Sequence, residues 1–171
     1  MKRILVTGIG GIGGHNFIKC LKLVHDTYVA GTDNNPYHIE FADDINTKYL
    51  SPRHDSNIFL DFLKHIIESN SIAFLHPHPS SEAKVVASAK LDVKTYLPRP
   101  EDIGVDKLTI YKKMKMAGVP VPDTISVIDE KQIEDAFSRI GFPLWIRAKS
   151  GAGGRLSLKV SSIQEAKYWI M

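Results

Sequence analysis

The sequence predicts an α/β fold, a parallel sheet with helical crossovers followed by a smaller α+β piece. Three observations carry that expectation. Short β-branched runs (Arg3 to Thr7, Tyr28 to Thr32, Ile72 to Leu75) alternate with stretches of helical periodicity. A glycine-rich turn, Gly8 to Gly14, joins the first run to the first helical stretch. Near the end, two short apolar runs flank a second glycine-rich loop, Ser150 to Arg155, in the manner of a β-hairpin.

Composition bounds the function classes. The chain has 171 residues, enough for one domain or one plus a fragment, and 43% of them are hydrophobic. A net charge of +3 is too small to imply nucleic acid, so none is expected as a partner. Cys20 is the single cysteine, which excludes an intrachain disulfide and a cysteine metal cluster. It falls in an apolar helical stripe and is expected to be a buried thiol. No run approaches the roughly 20 apolar residues of a membrane span. The run Ile4 to Val6 is too short for a signal h-region. A cytoplasmic, soluble protein without a membrane partner is the expectation.

The elements follow in order. Arg3 to Thr7 reads as a buried strand, and Phe17, Cys20, Leu21 and Val24 mark the first helix. Gly8, Gly10 and Gly13 fit G-x-G-x-x-G, and such a turn presents amides at a helix N-terminus, where an anionic group is favoured. The second strand ends in Asp33, the place where a dinucleotide enzyme holds a ribose hydroxyl. Residues 34–57 read as a long polar loop with a brief strand at Lys48 to Leu50. A helix with a wide apolar face follows (Ile58, Phe59, Phe62, Leu63, Ile66, Ile67), then the strand Ile72 to Leu75, which runs into His76-Pro77-His78-Pro79. Ser80 or Ser81 is the expected N-cap of the next helix, and Lys94 to Leu97 a fourth short strand closed by Pro98 and Pro100. In parallel sheets ligands bind beyond the carboxyl ends of the strands. That rule places Gly10, Gly11, Asp33, His76 and His78 on one candidate substrate rim. The two histidines, two apart on a turn, do not form a metal set, and a loop-rigidifying role is the alternative for them.

Asp106 is the expected N-cap of a helix from Lys107 to Ala117, with Leu108, Ile110, Tyr111, Met114 and Ala117 facing inward. Gly118, Pro120 and Pro122 stop it, and this stiff A-G-V-P-V-P segment is read as the main boundary. The expected organisation is therefore residues 1–103 as a sheet domain, 104–122 as connecting helix and linker, and 123–171 as a small subdomain. That subdomain should hold a strand Thr124 to Ile128, a helix with Ile133, Phe137 and Ile140 inward, the hairpin, and a last helix capped by Ser162. Arg147, Lys149, Arg155 and Lys159 make the hairpin basic; the lysines at 112, 113 and 115 read as a solvated face. Glycines let backbone N–H groups approach an anion, so the hairpin loop is a candidate phosphate site.

The run D-K-x(6)-M-K-x-A-G-V-P-x-P from Asp106, then I-G-F-P, a strand ending in a basic residue, and S-G-x-G-G-R resembles the ATP-grasp superfamily. The nearest look-alikes are biotin carboxylase and the carbamoyl-phosphate synthase large subunit. The resemblance implies a Rossmann-like pre-ATP-grasp domain followed by the lid of an incomplete grasp. It implies that Lys107 lies near nucleotide phosphates, that Arg147 contacts them from its strand end, that Lys149 belongs to the same cofactor site, and that Ser150, Gly151, Gly153, Gly154 and Arg155 belong to a closing loop. The implied reaction is ligation through an acylphosphate, with ATP and Mg²⁺ as cofactors and a small carboxylate or amine as substrate. The family's metal ligands lie C-terminal to the lid, so they are expected outside this chain, and no catalytic residue is assigned within it. A truncated piece, or one part of a split protein that meets a second chain or a further copy of itself, is the expectation; by itself it should turn over no ATP.

Two other readings stay open. The opening Val6-Thr7-Gly8 with its following glycines also resembles short-chain dehydrogenases, and Tyr111 with Lys115 supplies Y-x-x-x-K, although no serine stands at a suitable distance before it. A non-catalytic anion-binding module is the other.

Overall fold

A computed structural model describes residues 1–151, 154 and 156–170. The chain forms two compact units, Met1–Gly104 and Val105–Met171, so the segment 105–122 lies within the second. Among the described residues no helix is long and apolar enough to cross a membrane.

The first unit holds β1 (Lys2–Thr7), α1 (Ile12–Lys22), β2 (Thr27–Asp33), α2 (Pro36–Glu40), β3 (Thr47–Leu50), α3 (Phe59–Ser69), β4 (Phe74–Pro77) and α4 (Ser80–Ser88). Its sheet is parallel, in the order β3-β2-β1-β4. That order reverses between β1 and β4, which makes the gap between their carboxyl ends a topological switch point. The period-2 alternation of the strands sends side chains to two faces. Leu5, Ala30 and Leu75 pack against Phe59, Leu63 and Ile66 of α3 and Val86 of α4. Ile4, Val6 and Val29 pack on the other face against Ile18 of α1, with Ile9 and Ala42. Burying an aliphatic or aromatic side chain of this size contributes about 1.5–3 kcal/mol, and most of these are under 2% exposed.

Several expectations are corrected here. Cys20 is exposed, because the buried stripe of α1 runs through Gly14 and Ile18 with Phe17 and Leu21 half-buried, and Cys20 lies two residues round from Ile18. The loop 34–57 contains α2, capped by the Asn35 side chain on the Tyr37 amide. Pro79, not a serine, holds the N-cap position of α4. Lys94 to Leu97 is no strand: Lys94 makes one parallel bridge to Phe74, and Pro98 and Pro100 cannot donate to a longer ladder.

The second unit holds α5 (Lys107–Met116), α6 (Glu130–Ile140), β5 (Leu144–Arg147), β6 (Ser157–Val160) and α7 (Ile163–Ile170). β5 and β6 pair antiparallel, with Trp145 opposite Lys159 and Arg147 opposite Ser157. Ile133 and Phe137 of α6, Val160 of β6 and Ala166 of α7 make a separate core. Ser162 accepts from the Glu165 amide while Glu165 reaches back to the Ser161 amide, so the one acid of α7 serves its N-terminus. Gly118, at φ 73°, closes α5, with Val119 donating to the Met114 carbonyl and Gly118 to that of Lys115, a complete Schellman pattern.

Three expectations fail in this unit, and one is Ile140, which lies at the C-terminal end of α6 and is 38% exposed instead of inward with Ile133 and Phe137. α5 has no buried residue, and Ile110 and Met114 are 41% and 40% exposed. Thr124 to Ile128 forms no strand. Its alternation survives, with Ile125 and Val127 half-buried between exposed neighbours, but no described strand pairs with it.

Candidate functional site

Each unit carries one cluster of the residues singled out from the sequence. In the first, Gly8 takes φ 65°, and a Cβ there would sit 2.4 Å from Pro79 Cγ. A Cβ on Gly10 would sit 2.1 Å from His38 Cβ, and one on Gly13 1.9 Å from His78 Nε2. The glycine turn is thus closed over by the protein's own side chains at the switch point. Its amides are engaged as well: Gly10 N–H donates to Asp33 Oδ2 at 3.0 Å and Gly11 N–H to the Gly8 carbonyl at 3.3 Å. Asp33 is 4% exposed, and its other oxygen accepts from the Asn35 amide at 3.0 Å and faces His38 Nδ1 at 3.3 Å. The carboxylate therefore acts as an internal clamp that fills the anion position of the turn. His76 stacks on Phe17 at 3.9 Å and lies 5.8 Å from the His78 ring. Burial, with His78 adding to it, pushes the His76 imidazole below its ordinary range.

The same rim holds residues that the sequence reading passed over. Thr7, Thr32, Ser51 and Glu82 are all at most 6% exposed; Thr32 Oγ1 and Ser51 Oγ have no hydrogen-bond partner among the described residues, while the Thr7 hydroxyl is turned toward the Glu82 carboxyl. The available signal was hydroxyl residues at strand ends in inward register, and an acid one turn before Val86 on the packed face of α4.

In the second unit the first turn of α5 is stitched to the base of the hairpin loop. Asp106 caps the helix, accepting from the amides of Leu108 and Thr109 at 3.1 Å each and from the Thr109 hydroxyl at 2.7 Å. Those bonds from Thr109, with a smaller contribution from Lys149, hold its carboxyl below the usual range. The Lys107 amide donates to the Lys149 carbonyl at 3.1 Å, Lys107 Nζ donates to the Gly151 carbonyl at 2.8 Å, and Lys149 Nζ lies 3.9 Å from Asp106 Oδ1. Arg147 ends β5 on its outward face. Trp145, two residues earlier on that face, is 65% exposed and donates from Nε1 to Ser157 Oγ at 2.9 Å. Gly151 and Gly154 take φ 109° and 71°, and no atom of the described residues lies within 4 Å of where a Cβ would sit, so conformation calls for glycine there. Ser150 is exposed beside them; Gly153 and Arg155 lie outside the described residues. Among the described residues no three His, Cys, Asp or Glu side chains come together as a metal site.

No protein-family model matches the chain. It is 27% identical over 168 residues to the chloroplastic biotin carboxylase of Arabidopsis thaliana, an alignment covering 90% of this chain and 30% of that protein. It is 34% identical over 62 residues to the glutamate–LysW ligase ArgX of Sulfolobus acidocaldarius, covering 36% of this chain and 22% of the ligase. The fold matches N5-carboxyaminoimidazole synthase from Aspergillus clavatus with a TM-score of 0.58 and 17% identity, over 99% of this chain and 44% of that one. The chain thus spans less than half the length of each of these proteins. Similarity in sequence to two ligases and in fold to a third protein relates this chain to the ATP-grasp superfamily.

Proposed function

We propose that the protein is an ATP-dependent ligase that forms an acylphosphate, and that its second unit holds the nucleotide phosphates with Lys107, Arg147, Lys149 and the glycine loop. The observation that carries this reading is the pair of bonds from Lys107 to the loop base. They bring two lysines and an open glycine backbone to one place, with Arg147 two residues from Lys149. When phosphate arrives, Lys107 Nζ exchanges the Gly151 carbonyl for a charged oxygen, a stronger, charge-assisted partner. Freed of that tie, the loop closes over the phosphates, excludes water and aims its amides at the transferring group. The fold neighbour was solved with ADP and 5-aminoimidazole ribonucleotide bound, which agrees with a nucleotide role for this architecture. Mg²⁺ would neutralise phosphate charge when bound, but no cluster among the described residues fits it. On the acceptor side, Asp33 and Gly10 support the rim from inside, and His76 and His78 are the groups left to meet a small carboxylate or amine. A cytoplasmic setting suits this chemistry.

The test is a titration of ATP or ADP into the chain, followed by tryptophan fluorescence, since Trp145 shares its face with Arg147. Saturable quenching is expected. Arg147→Ala and Lys107→Ala should each weaken it about tenfold, as loss of one charge-assisted contact would. Unchanged affinity in both variants, or a response to NADH in place of ATP, overturns the reading.

A further inference from the structure

A cavity in the second unit takes no part in the ligase reading. Its volume is about 190 Å³. Ile125 and Ser126, from the extended run before α6, line one side, and Gln132, Asp135, Ala136 and Arg139 of α6 line the other. The run has no described strand to pair with, yet two contacts fix it against the helix. Val127 packs on the core of Ile133 and Phe137, and the Ile128 amide donates to Gln132 Oε1 at 2.9 Å. Both walls of the cavity are therefore held before any ligand arrives.

The helical wall carries opposite charges one turn apart. Residues four apart on an α-helix have Cβ atoms about 5–6 Å apart, close enough for an acid and a base to pair. Asp135 and Arg139 do not: neither side chain has a hydrogen bond or ion pair among the described residues. Other acids of α6 are engaged, since Glu130 and Glu134 reach Lys167 Nζ at 3.3 and 2.9 Å. Volume sorts the occupant. Sites for drug-sized ligands run roughly 300–1,000 Å³, and a water in the liquid takes about 30 Å³. At about 190 Å³ this cavity is too small for a nucleotide and larger than a single ion needs. Charge sorts it further. Asp135 calls for a cation, and the planar fork of Arg139 matches a carboxylate. A phosphate or a dicarboxylate would meet Asp135 as a like charge.

We propose that this cavity binds a small α-amino acid, with its ammonium on Asp135, its carboxylate on Arg139 and its side chain against Ile125 and Ala136. The ammonium and carboxylate of such a molecule sit on one carbon, so it bridges two charges that do not reach each other. Gln132 spends its oxygen on the Ile128 amide, which leaves its two side-chain N–H groups as donors. The site stands independently of the nucleotide reading, since neither Lys107 nor Arg147 lines it.

The test is an amide NMR titration of the chain with glycine, L-alanine, acetate and ethylammonium at constant pH and ionic strength. Glycine and L-alanine should give saturable shifts centred on Ile125, Ser126, Gln132, Asp135 and Arg139. Acetate and ethylammonium carry one charge each and should bind at least about fivefold more weakly. Asp135→Asn and Arg139→Gln should each weaken L-alanine binding by a similar factor. Both residues are exposed, so these variants keep the fold. Acetate matching L-alanine, no saturable shift with either amino acid, or full binding in both variants overturns the proposal. Arg147→Ala leaves this titration unchanged, so it fails or succeeds apart from the nucleotide experiment.

Discussion

Gly10 and Gly154 are both glycines in candidate ligand loops, yet different forces require them. At Gly10 a Cβ would press on the Cβ, Cα and carbonyl oxygen of His38, atoms of a neighbouring helix backbone that cannot swing aside. Gly10→Ala is therefore expected to cost about 1–3 kcal/mol, the range for overpacking, read as a lower denaturation midpoint of the first unit. At Gly154 no described residue crowds a Cβ and φ 71° is what resists a side chain, so Gly154→Ala should cost roughly 1 kcal/mol. Glu82 sets a pH dependence of its own. Its carboxyl binds a proton more tightly folded than unfolded, so its contribution is full below its ordinary value of 4.5 and is lost as pH rises through the folded one. Burial sets that loss, the hydrogen bond with Thr7 reduces it, and Asp33 adds to it while His54 offsets it a little. In chemical denaturation across that window Glu82→Gln should flatten the decline; an unchanged profile would show that Glu82 is not its source.

At the scale of elements, the same alternation that folds the hairpin also sorts its chemistry. Leu144 and Ile146 turn toward α6 and α7, and this alternation leaves Trp145 and Arg147 on the outward face. The inward face is shared with Ile133, which is 1% exposed. Ile133→Ala removes that packing and should destabilise the second unit by about 2–5 kcal/mol. Nucleotide affinity should fall with it only where unfolding is populated, because the cations lie on the other face.

At the scale of the molecule, the first unit and the second each have a core of their own. Both tryptophans, Trp145 and Trp169, belong to the second unit. Tryptophan fluorescence therefore reports that unit, while far-UV circular dichroism reports both. Ile133→Ala should move the fluorescence transition, and Leu63→Ala should move only the part of the dichroism transition that fluorescence does not follow. Coincident transitions in every variant would mean that the two units unfold as one.

The sequence by itself determined the parallel α/β sheet, the helix caps at Asp106 and Ser162, the stop at Gly118 and the hairpin. Each of these rests on local patterns: strand runs, capping hydroxyls or carboxylates, and one left-handed glycine. It also carried the resemblance that the sequence relatives and the fold neighbour support at the level of the superfamily. Tertiary structure decided what depends on partners far along the chain. Thr124 to Ile128 has the alternation of a strand but no described neighbour to bond, and Lys94 to Leu97 has one neighbour and two prolines after its single bridge. Asp33 proved to be bonded inward because His38 and the Gly10 amide arrive from other elements. Thr7 and Thr32 come side by side only because β1 and β2 pair in parallel, and no spacing along a single segment encodes that pairing.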